Sequence, residues 1–168
     1  MTTCRAPRDA DVAALAAIRN DAPTQEALLA DPRPNSEADV RRWIERRTTD
    51  PAALFWVIAD ADDGGAVGFA QVVAIDARSR HGRFGIAIGR AHRGRGHGGA
   101  ALRHVLRAAR DDGRLDKLML DVAADNTSAR ALYHDAGFRD VGVLRRHYRG
   151  NDRWHDVVVM ERFLEAVA

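Results

Sequence analysis

Glycines and basic residues alternate in one short segment, Arg93-Gly94-Arg95-Gly96-His97-Gly98-Gly99. A strand-like apolar segment precedes it and an amphipathic helical pattern follows it. Glycines lack Cβ atoms, so backbone N–H groups can approach a ligand closely, and a helix N-terminus adds free donors and the positive end of a dipole. The segment therefore predicts a pyrophosphate site. The alternative is a flexible glycine turn with incidental arginines.

Two other phosphate-binding loops fit this segment less well. A P-loop has Lys-Ser or Lys-Thr after its last glycine, whereas Ala100-Ala101 follows here. The dinucleotide fingerprint G-x-G-x-x-G is present at Gly94, Gly96 and Gly99, with Asp121 on the next predicted strand. However, the preceding strand ends several residues too early, and too little chain follows for a doubly wound sheet. NAD binding stays an alternative.

The sequence pattern on either side of the loop predicts strands and helices that together make a mixed α/β fold. Strands are expected at Thr3–Ala6, Leu54–Ala59, Val67–Ile75, Phe84–Ile88, Leu118–Val122, Val141–Leu144 and Val157–Met160. Helices are expected from an N-cap at Asp9 or Asp11, from a capping box at Ser36 and Asp39, over His97–Arg110, and from Asn126 to about Ala136, with Gly137 as the C′ residue. One strand-helix-strand crossover follows residue 84.

Composition bounds the class of protein. The 168 residues predict a single domain, residues 1–168, and the net charge of +2 excludes a global polyanion-binding field. The longest apolar run, Ala52–Ala59, is too short to span a membrane, and no signal-peptide core follows Met1. The single cysteine, Cys4, excludes an internal disulfide and a cysteine-based zinc cluster. A cytoplasmic location is expected.

Arginine clustering raises the alternative of a nucleic-acid interface. The residues concerned are Arg90, Arg93, Arg95, Arg103, Arg107 and Arg110. No aromatic platform interleaves with them, and arginines on a helix face are usually solvated, so nucleic acid is not expected as a partner. Three histidines, His92, His97 and His104, lack an acidic or cysteine ligand to complete a metal site, so no metal is expected.

Two motifs in this order resemble the GNAT superfamily of N-acetyltransferases. Arg93-x-x-Gly96-x-Gly98 is similar to the coenzyme A loop of that family, and residues 125–138 resemble its second signature, N-x-x-A-x-x-L-Y-x-x-x-G-F. One helix and one strand separate the two motifs, as in the family, and the similarity in element order covers nearly the whole chain. The resemblance implies a mixed, mostly antiparallel sheet of six to seven strands, flanked by about four helices, with a splay between the fourth and fifth strands.

The resemblance also implies an activity. Enzymes of this family transfer an acetyl group from acetyl-coenzyme A to a primary amine by direct attack, without a covalent enzyme intermediate. The absence of an evident nucleophile system agrees with this, because Cys4 is terminal and no Ser-His-Asp pattern is present. A non-catalytic coenzyme A sensor is an alternative, but such a protein would keep the loop and lose Tyr133.

Site residues follow from the resemblance. Backbone groups of Ile86, Ala87 and Ile88, in a bulged fourth strand with Gly85 and Gly89, would hold the pantetheine arm. The pyrophosphate would bind the main chain of Arg93, Gly94, Arg95, Gly96, His97, Gly98 and Gly99. Asn126 would contact the cofactor, and it is equally credible as a plain N-cap. Tyr133 would be the general acid that protonates the departing sulfur; the alternative role is a core aromatic.

The general base and the acceptor are less specified. Asp76, His81 and Asp121 are candidate bases, as is a chain of waters. By resemblance, the segments Asn20–Asn35 and Arg145–His155 frame the acceptor site.

Residues in these two segments suggest the acceptor's chemistry. Asp21, Glu26 and Asp31 could attract an ammonium group, and Trp154 could wall the pocket or pack the final strand. The acceptor is expected to be an amine of a small molecule, an amino acid or a protein N-terminus. Homodimers are common among similar proteins, but no stretch here specifies one.

Overall fold

The computed structural model describes residues 1–31 and 33–164. In these residues seven strands form one sheet, and five α-helices pack around it. The strands are β1 (Thr2–Arg5), β2 (Leu54–Asp60), β3 (Ala66–Asp76), β4 (His81–Ile88), β5 (Lys117–Ala123), β6 (Arg139–Gly150) and β7 (Arg153–Phe163). The helices are α1 (Val12–Asn20), α2 (Ala22–Ala27), α3 (Glu37–Thr49), α4 (His97–Asp111) and α5 (Thr127–Asp135). The predicted domain limit at residue 168 lies outside the described residues.

Strand order in the sheet is β1-β2-β3-β4-β5-β7-β6. Neighbours pair antiparallel except β4 and β5, which are parallel and pair only where His81–Arg83 meets Lys117–Met119. From Phe84 to Ile88, β4 continues without a strand partner on that side among residues 1–31 and 33–164. The expected mixed sheet with a splay between its fourth and fifth strands is confirmed, and the splay leaves a fork between the two strands.

The resemblance implied a bulge in the fourth strand, but the register shift between β3 and β4 lies on β3 instead. The register is unbroken from Gly68 opposite Ile88 to Val73 opposite Arg83, and it shifts between Val73 and Asp76 on β3. Within that stretch Ala74 has a positive φ of 50°. The extra residue of the β3–β4 pair is therefore on β3, at the end of β4 away from the fork. Gly85 does not mark a bulge.

Two layers of helices cover the sheet. On one face, α4 buries the apolar side predicted for it, Ala101, Leu102, Val105, Leu106 and Ala109. On the other face, α1 and α3 cover an aromatic cluster in which Trp43 meets Phe55 and Phe69 edge-on, with ring centroids 5.1 and 4.8 Å apart. Of the helices in the described ranges, none is long and apolar enough to cross a membrane.

The predicted side-chain caps are confirmed at α3 and α5 but not at α1. The Ser36–Asp39 capping box of α3 and the Asn126 cap of α5 are both present. Neither Asp9 nor Asp11 caps α1 through its side chain. Asp11 instead accepts hydrogen bonds from the Arg8 backbone N–H and the Arg5 guanidinium. An ion pair with a residue six positions away, and the start of the short 3-10 turn at Asp9–Asp11, thus engage the carboxylate that was expected to cap α1.

Two further elements differ from the sequence-based expectation. The short helix α2 was not predicted, because its six residues carry no apolar period; its start is capped by Asp21, which accepts from the Thr24 N–H. The last hairpin is much longer than expected, because β6 and β7 extend into polar residues on both sides of the predicted segments, and their pairing shifts register between Asp140 and Gly142 and between Leu144 and Tyr148. Its turn at Asn151 and Asp152 has positive φ angles of 48° and 58°.

The ion pair of Arg5 and Asp11 should make folding stability depend on pH. Burial opposes ionisation of the Asp11 carboxyl, but hydrogen bonds from Arg5 and the Arg8 backbone outweigh it and lower its pKa. We expect Asp11→Asn to reduce the free energy of unfolding at pH 7 by about 3 kcal/mol, because it leaves the Arg5 charge unpaired near a 4% exposed site.

The sign of the pH dependence follows from the lowered pKa. The stabilisation is fully present above the unfolded value of about 3.9 and is lost as pH falls through the lower folded value. Urea unfolding at pH 7 and pH 3 should therefore show the wild type and variant converging at low pH. Asp9→Asn, which removes an exposed pair with Arg41, is the control and should change little. A difference independent of pH would contradict this account.

Candidate functional site

A cavity of about 390 Å³ opens in the fork between β4 and β5. It is lined by the ends of β4 and β5, the glycine loop, the first turn of α4, one side of α5, and part of α2 with the residue after it. The lining residues are Thr24, Ala27, Leu28, Ile86, Ala87, Ile88, His92, Arg93, Gly94, Gly96, His97, Gly98, Gly99, Asp121, Val122, Asn126, Ser128, Ala129, Leu132 and Tyr133. Every predicted cofactor position except Arg95 lies on this wall. We call this space the fork cavity.

One edge of β4 is free inside the fork cavity. Ile86, Ala87 and Ile88 pair with Ala70, Phe69 and Gly68 on β3, while no strand of the described chain pairs with their other side. Alternate residues of an extended strand direct their N–H and C=O groups to opposite neighbours. The fork-facing backbone groups can therefore bind an extended ligand as an additional strand would.

The glycine loop has the backbone geometry of an anion cradle. Gly94 and Gly96 have positive φ angles of 74° and 83°, which other residues rarely adopt. Gly96 is the N-cap of α4 and has no side chain to cap the helix. The first intrahelical bond runs from Ala100 N–H to Gly96 C=O, so the preceding N–H groups of the first turn are available to a ligand. A ligand anion can supply the acceptors that this helix start lacks.

The basic side chains around the loop have different roles. Arg93 donates to the Ile88 carbonyl at 3.0 Å and to Thr24 Oγ1 at 2.7 Å, so its guanidinium ties β4 to α2. His97 is buried, and its Nδ1 lies 2.9 Å from Thr2 Oγ1. Arg95 is exposed and lies outside the cavity wall. Its predicted role, binding pyrophosphate through its main chain, stays a prediction.

Asn126 and Tyr133 each have a structural role and also line the fork cavity, while their roles toward a cofactor stay predictions. The Asn126 side chain accepts from the Ala129 N–H at 3.2 Å as an N-cap, and the residue also lines the fork cavity. Tyr133 is 8% exposed, packs edge-on against Phe84 and against Phe138, and reaches the cavity wall. Burial raises the pKa of Tyr133 to about 12. Its hydroxyl has no hydrogen-bond partner in the described part of the chain, which leaves it free for a ligand.

The three candidate bases are separated by the fold. Asp76 and His81 face each other across β3 and β4 at the end of the sheet away from the fork, and neither lines the cavity. Hydrogen bonds from the Ser79 and Arg78 backbone help lower the pKa of Asp76. Asp121 lines the cavity and forms an ion pair with Arg83 where β4 and β5 part. Only Asp121 among the three is placed to meet a substrate.

A buried histidine joins the two segments expected to frame the acceptor. His155 on β7 is 5% exposed, and its ring nitrogens lie 3.0 Å from Glu26 Oε1 and 3.4 Å from Asp125 Oδ2. The Nε2 contact lacks the alignment of a hydrogen bond. Arg153 lies 3.1 Å from Asp125, and Asn151 donates to Glu26. We call Glu26, Asp125 and His155 the acceptor-side cluster.

Sequence reasoning found only part of this cluster. It named Glu26 as an acid and His155 as a segment limit, but Asp125 carried no signal of its own beyond its place in the second motif. Asp21 is committed to Thr24 and Arg90, and Asp31 is exposed. Trp154 is 49% exposed beneath Arg146 and lies outside the fork-cavity wall. In residues 1–31 and 33–164, no three His, Cys, Asp or Glu side chains are grouped to hold a metal ion.

These features define a class of protein. A sheet splayed between parallel strands, a glycine loop at the start of the crossover helix and a buried tyrosine beside the fork suit an extended, diphosphate-bearing ligand. Comparison with known proteins makes the class specific. Residues 2–139 match the family model described as "Acetyltransferase (GNAT) domain". The chain belongs to the GNAT acetyltransferase family.

Relatives within the family are similar over part of their length. N-alpha-acetyltransferase RimI of Mycobacterium tuberculosis is 42% identical over 64 residues, 38% of either chain. Spermidine N(1)-acetyltransferase of Vibrio cholerae is 30% identical over 108 residues, 64% of this chain and 62% of that protein. The matches span less than two thirds of these curated relatives.

Solved structures match the whole fold. Spermidine N-acetyltransferase from Vibrio cholerae, in complex with CoA and spermine, has a TM-score of 0.89 at 24% identity and covers 97% of this chain and 95% of that one. An N-acetyltransferase from Staphylococcus aureus Mu50 has a TM-score of 0.86 at 22% identity and covers 98% and 99%. The likeness shows the fold over almost the full length of the chain.

Proposed function

We propose that this protein is an acetyl-coenzyme A-dependent N-acetyltransferase that acts on a primary amine. The observation that carries the proposal is the fork cavity, which brings the free edge of β4, the glycine cradle and Tyr133 onto one wall. Its volume of about 390 Å³ lies within the range of small-ligand sites. The named activities of the curated relatives support the same reaction class.

The residues present fit this cosubstrate. The cradle provides main-chain donors at the positive end of a 15-residue helix, which suits a pyrophosphate. The free edge of β4 provides N–H and C=O groups for an amide-bearing arm. A Cβ added at Gly98 would already contact Leu132 at 3.4 Å, so the wall at this point leaves little room for a side chain. Bound acetyl-coenzyme A would supply an activated acyl thioester.

Tyr133 is the group we propose to assist the leaving sulfur. In the transfer, the amine nitrogen bonds to the acyl carbon and gives up a proton to a base, the carbon–sulfur bond breaks, and the departing thiolate takes up a proton. With its pKa raised to about 12, the Tyr133 phenol stays protonated at neutral pH and can donate to a thiolate. A free thiol has a pKa of about 8.5, so the phenol acts mainly by donating a hydrogen bond that strengthens as charge develops.

The acceptor-side cluster supports a cationic acceptor. Glu26 and Asp125 do not line the fork cavity themselves, but they are near neighbours in sequence of Thr24 and Asn126, which do. His155 and Arg153 hold these acids between α2 and the last hairpin. Carboxylates there would attract an ammonium group, and Asp121 is the remaining base candidate of the three. We propose a small amine, an amino acid or a peptide N-terminus as acceptor.

The relatives point to more than one acceptor within this class. The names of the matched proteins include a spermidine N(1)-acetyltransferase and, in Escherichia coli, a [ribosomal protein bS18]-alanine N-acetyltransferase, which is 32% identical over 77 residues. The first acts on a polyamine and the second on a protein alanine. Both acceptors are amines, which supports the reaction class and leaves the acceptor to experiment.

The test of this function is a thiol-release assay after a ligand screen. Acetyl-coenzyme A and coenzyme A should raise Tm, and NAD should not. Thiol release should then appear with at least one member of a panel of polyamines, amino acids and a peptide with an N-terminal alanine. Stabilisation by NAD alone would contradict the proposal. Binding of acetyl-coenzyme A without release from any amine would favour the sensor.

We also propose a homodimer through β6. This strand is at the sheet edge, and Val141, Val143 and Leu144 on it are 56, 52 and 40% exposed. An unpaired edge with apolar side chains can pair with a second copy about a two-fold axis. Sedimentation should show a dimer that Val143→Lys dissociates, and a monomeric wild type would contradict it.

A cytoplasmic location stays a prediction.

A further inference from the structure

A second cavity on the opposite face of the sheet from α4 is lined by arginines. Its volume is about 250 Å³, and we call it the arginine pocket. The lining residues are Arg19, Arg33, Pro34, Asn35, Asp39, Arg42, Trp43 and Arg46. It lies between the end of α1 and the start of α3, away from the glycine cradle.

Most of the positive charge in the arginine pocket is uncompensated. The only acid on its wall, Asp39, is committed to the Ser36 cap and to an ion pair with Arg42. In residues 1–31 and 33–164, Arg19, Arg33 and Arg46 make no ion pair with any carboxylate. Guanidinium groups stay charged at all working pH values, so they cannot relieve their repulsion by releasing a proton.

Arg19 lacks partners for most of its donors. Its guanidinium lies over Trp43, 4.2 Å from the ring centroid, and donates to Asn35 Oδ1 at 3.2 Å. Its Nε is buried and has no hydrogen-bond partner. Burial, and the like charges of Arg33, Arg47 and Arg46, lower its pKa. A buried donor without a partner is unfavourable, and a bound acceptor would remove that cost.

A neighbouring cavity lies between the arginine pocket and the fork cavity. This cavity, about 200 Å³, is lined by Arg19, Gln25, Leu28, Ala30, Asp31, Arg33 and Asn35. It shares Arg19, Arg33 and Asn35 with the arginine pocket and Leu28 with the fork cavity. Asp31 is on its wall but makes no ion pair there with the described arginines. The three cavities are therefore adjacent.

We propose that the arginine pocket binds an oxyanion, a phosphate or carboxylate group, between Arg19, Arg33 and Arg46. Planar guanidinium groups match two oxygens of such a group at once, and several of them around one cavity favour a compact anion. The oxyanion belongs either to a free effector or to an acceptor molecule whose amine reaches the fork cavity. The second source rests on the proposed function; the site itself does not.

The binding test compares three proteins in chloride and in inorganic phosphate at equal ionic strength. The variant is Arg33→Gln with Arg46→Gln, both exposed, and the control is Arg78→Gln with Arg107→Gln, exposed arginines elsewhere. At phosphate about 100 times its Kd, the Tm of the wild type and control should rise roughly 5 °C more than that of the variant. In chloride alone, the variant should be at least as stable as the wild type, because repulsion is relieved.

All three proteins keep the glycine cradle, so phosphate bound there shifts the Tm of each equally. The difference in Tm shift between the wild type and the variant therefore reports the arginine pocket alone. An equal phosphate shift in all three would overturn the proposal. A second readout does not depend on the variant: in the ¹H–¹⁵N spectrum of the wild type, the Arg19 Nε–H signal should move as phosphate is added. A signal that stays in place at saturating phosphate would equally overturn it.

The source of the oxyanion is decided by acceptor kinetics. If the acceptor carries it, the Arg33→Gln, Arg46→Gln variant should raise the KM of a carboxylate-bearing amine by roughly tenfold or more and leave that of its methyl ester unchanged. If a free effector carries it, both KM values should be unchanged while the phosphate effect on Tm persists. Absence of thiol release with every amine would contradict the proposed function. The Tm and spectral measurements would still test whether the arginine pocket binds an oxyanion.

Discussion

Tyr133→Phe should lower kcat by about 100-fold or more and leave the KM for acetyl-coenzyme A within about twofold, because the hydrogen bond from the hydroxyl strengthens only as charge develops on the sulfur in the transition state. The phenylalanine ring keeps the contacts with Phe84 and Phe138. Since the hydroxyl has no partner in the described chain, its removal should change Tm little. Steady-state thiol release and a thermal melt measure both quantities.

The chain provides a matched control in its other tyrosine. Tyr148 is 9% exposed, and its hydroxyl donates to the Ala30 carbonyl at 2.9 Å. Tyr148→Phe should cost about 1 kcal/mol of stability through that bond and reduce kcat far less than Tyr133→Phe. If both variants retained full turnover, Tyr133 would be a core aromatic only and the proton would have to come from another group.

The raised pKa of Tyr133 also constrains the pH profile. A phenol with a pKa of about 12 remains protonated through the neutral and moderately basic range. Loss of kcat above pH 8 or 9 in the wild type would therefore come from another group. The basic limb should be unchanged in shape in Tyr133→Phe, with only its height reduced.

Gly96→Ala should raise the Kd of coenzyme A by roughly 10- to 100-fold. This corresponds to the loss of one charge-assisted hydrogen bond, which contributes about 1.5–3 kcal/mol to binding. The Cβ itself meets open space, so the effect comes from the backbone, whose φ of 83° strains any other residue. The loop should relax away from the conformation that directs its N–H groups to one point. Calorimetric titration of coenzyme A measures the change.

The same helix supplies the control for this variant at its other end. Gly113 follows α4, has a φ of 73°, and likewise has open space at its Cβ position. Gly96→Ala and Gly113→Ala should each reduce folding stability by about 1–2 kcal/mol, but Gly113→Ala should leave the Kd of coenzyme A unchanged. Equal effects of the two variants on Kd would show that the loop acts through general stability and would remove the cradle from the proposal.

The sequence by itself determined the parts of this protein that depend on neighbours along the chain. Glycines at 94, 96 and 137 mark positive φ angles, Ser36 and Asn126 mark helix starts, and the apolar period of α4 marks its buried face. These signals arise from local sterics and local hydrogen bonds. Together with two motifs in order they were sufficient for the family and the fold.

Only the tertiary structure decided which side chains meet. Arg93 donates to Thr24, 69 positions away, and Asp121 rather than Asp76 or His81 lines the fork cavity. His155 is enclosed by acids from two other segments. Such contacts depend on how strands and helices pack across the whole sheet, and a side chain's local sequence does not encode the residue that the fold brings opposite it.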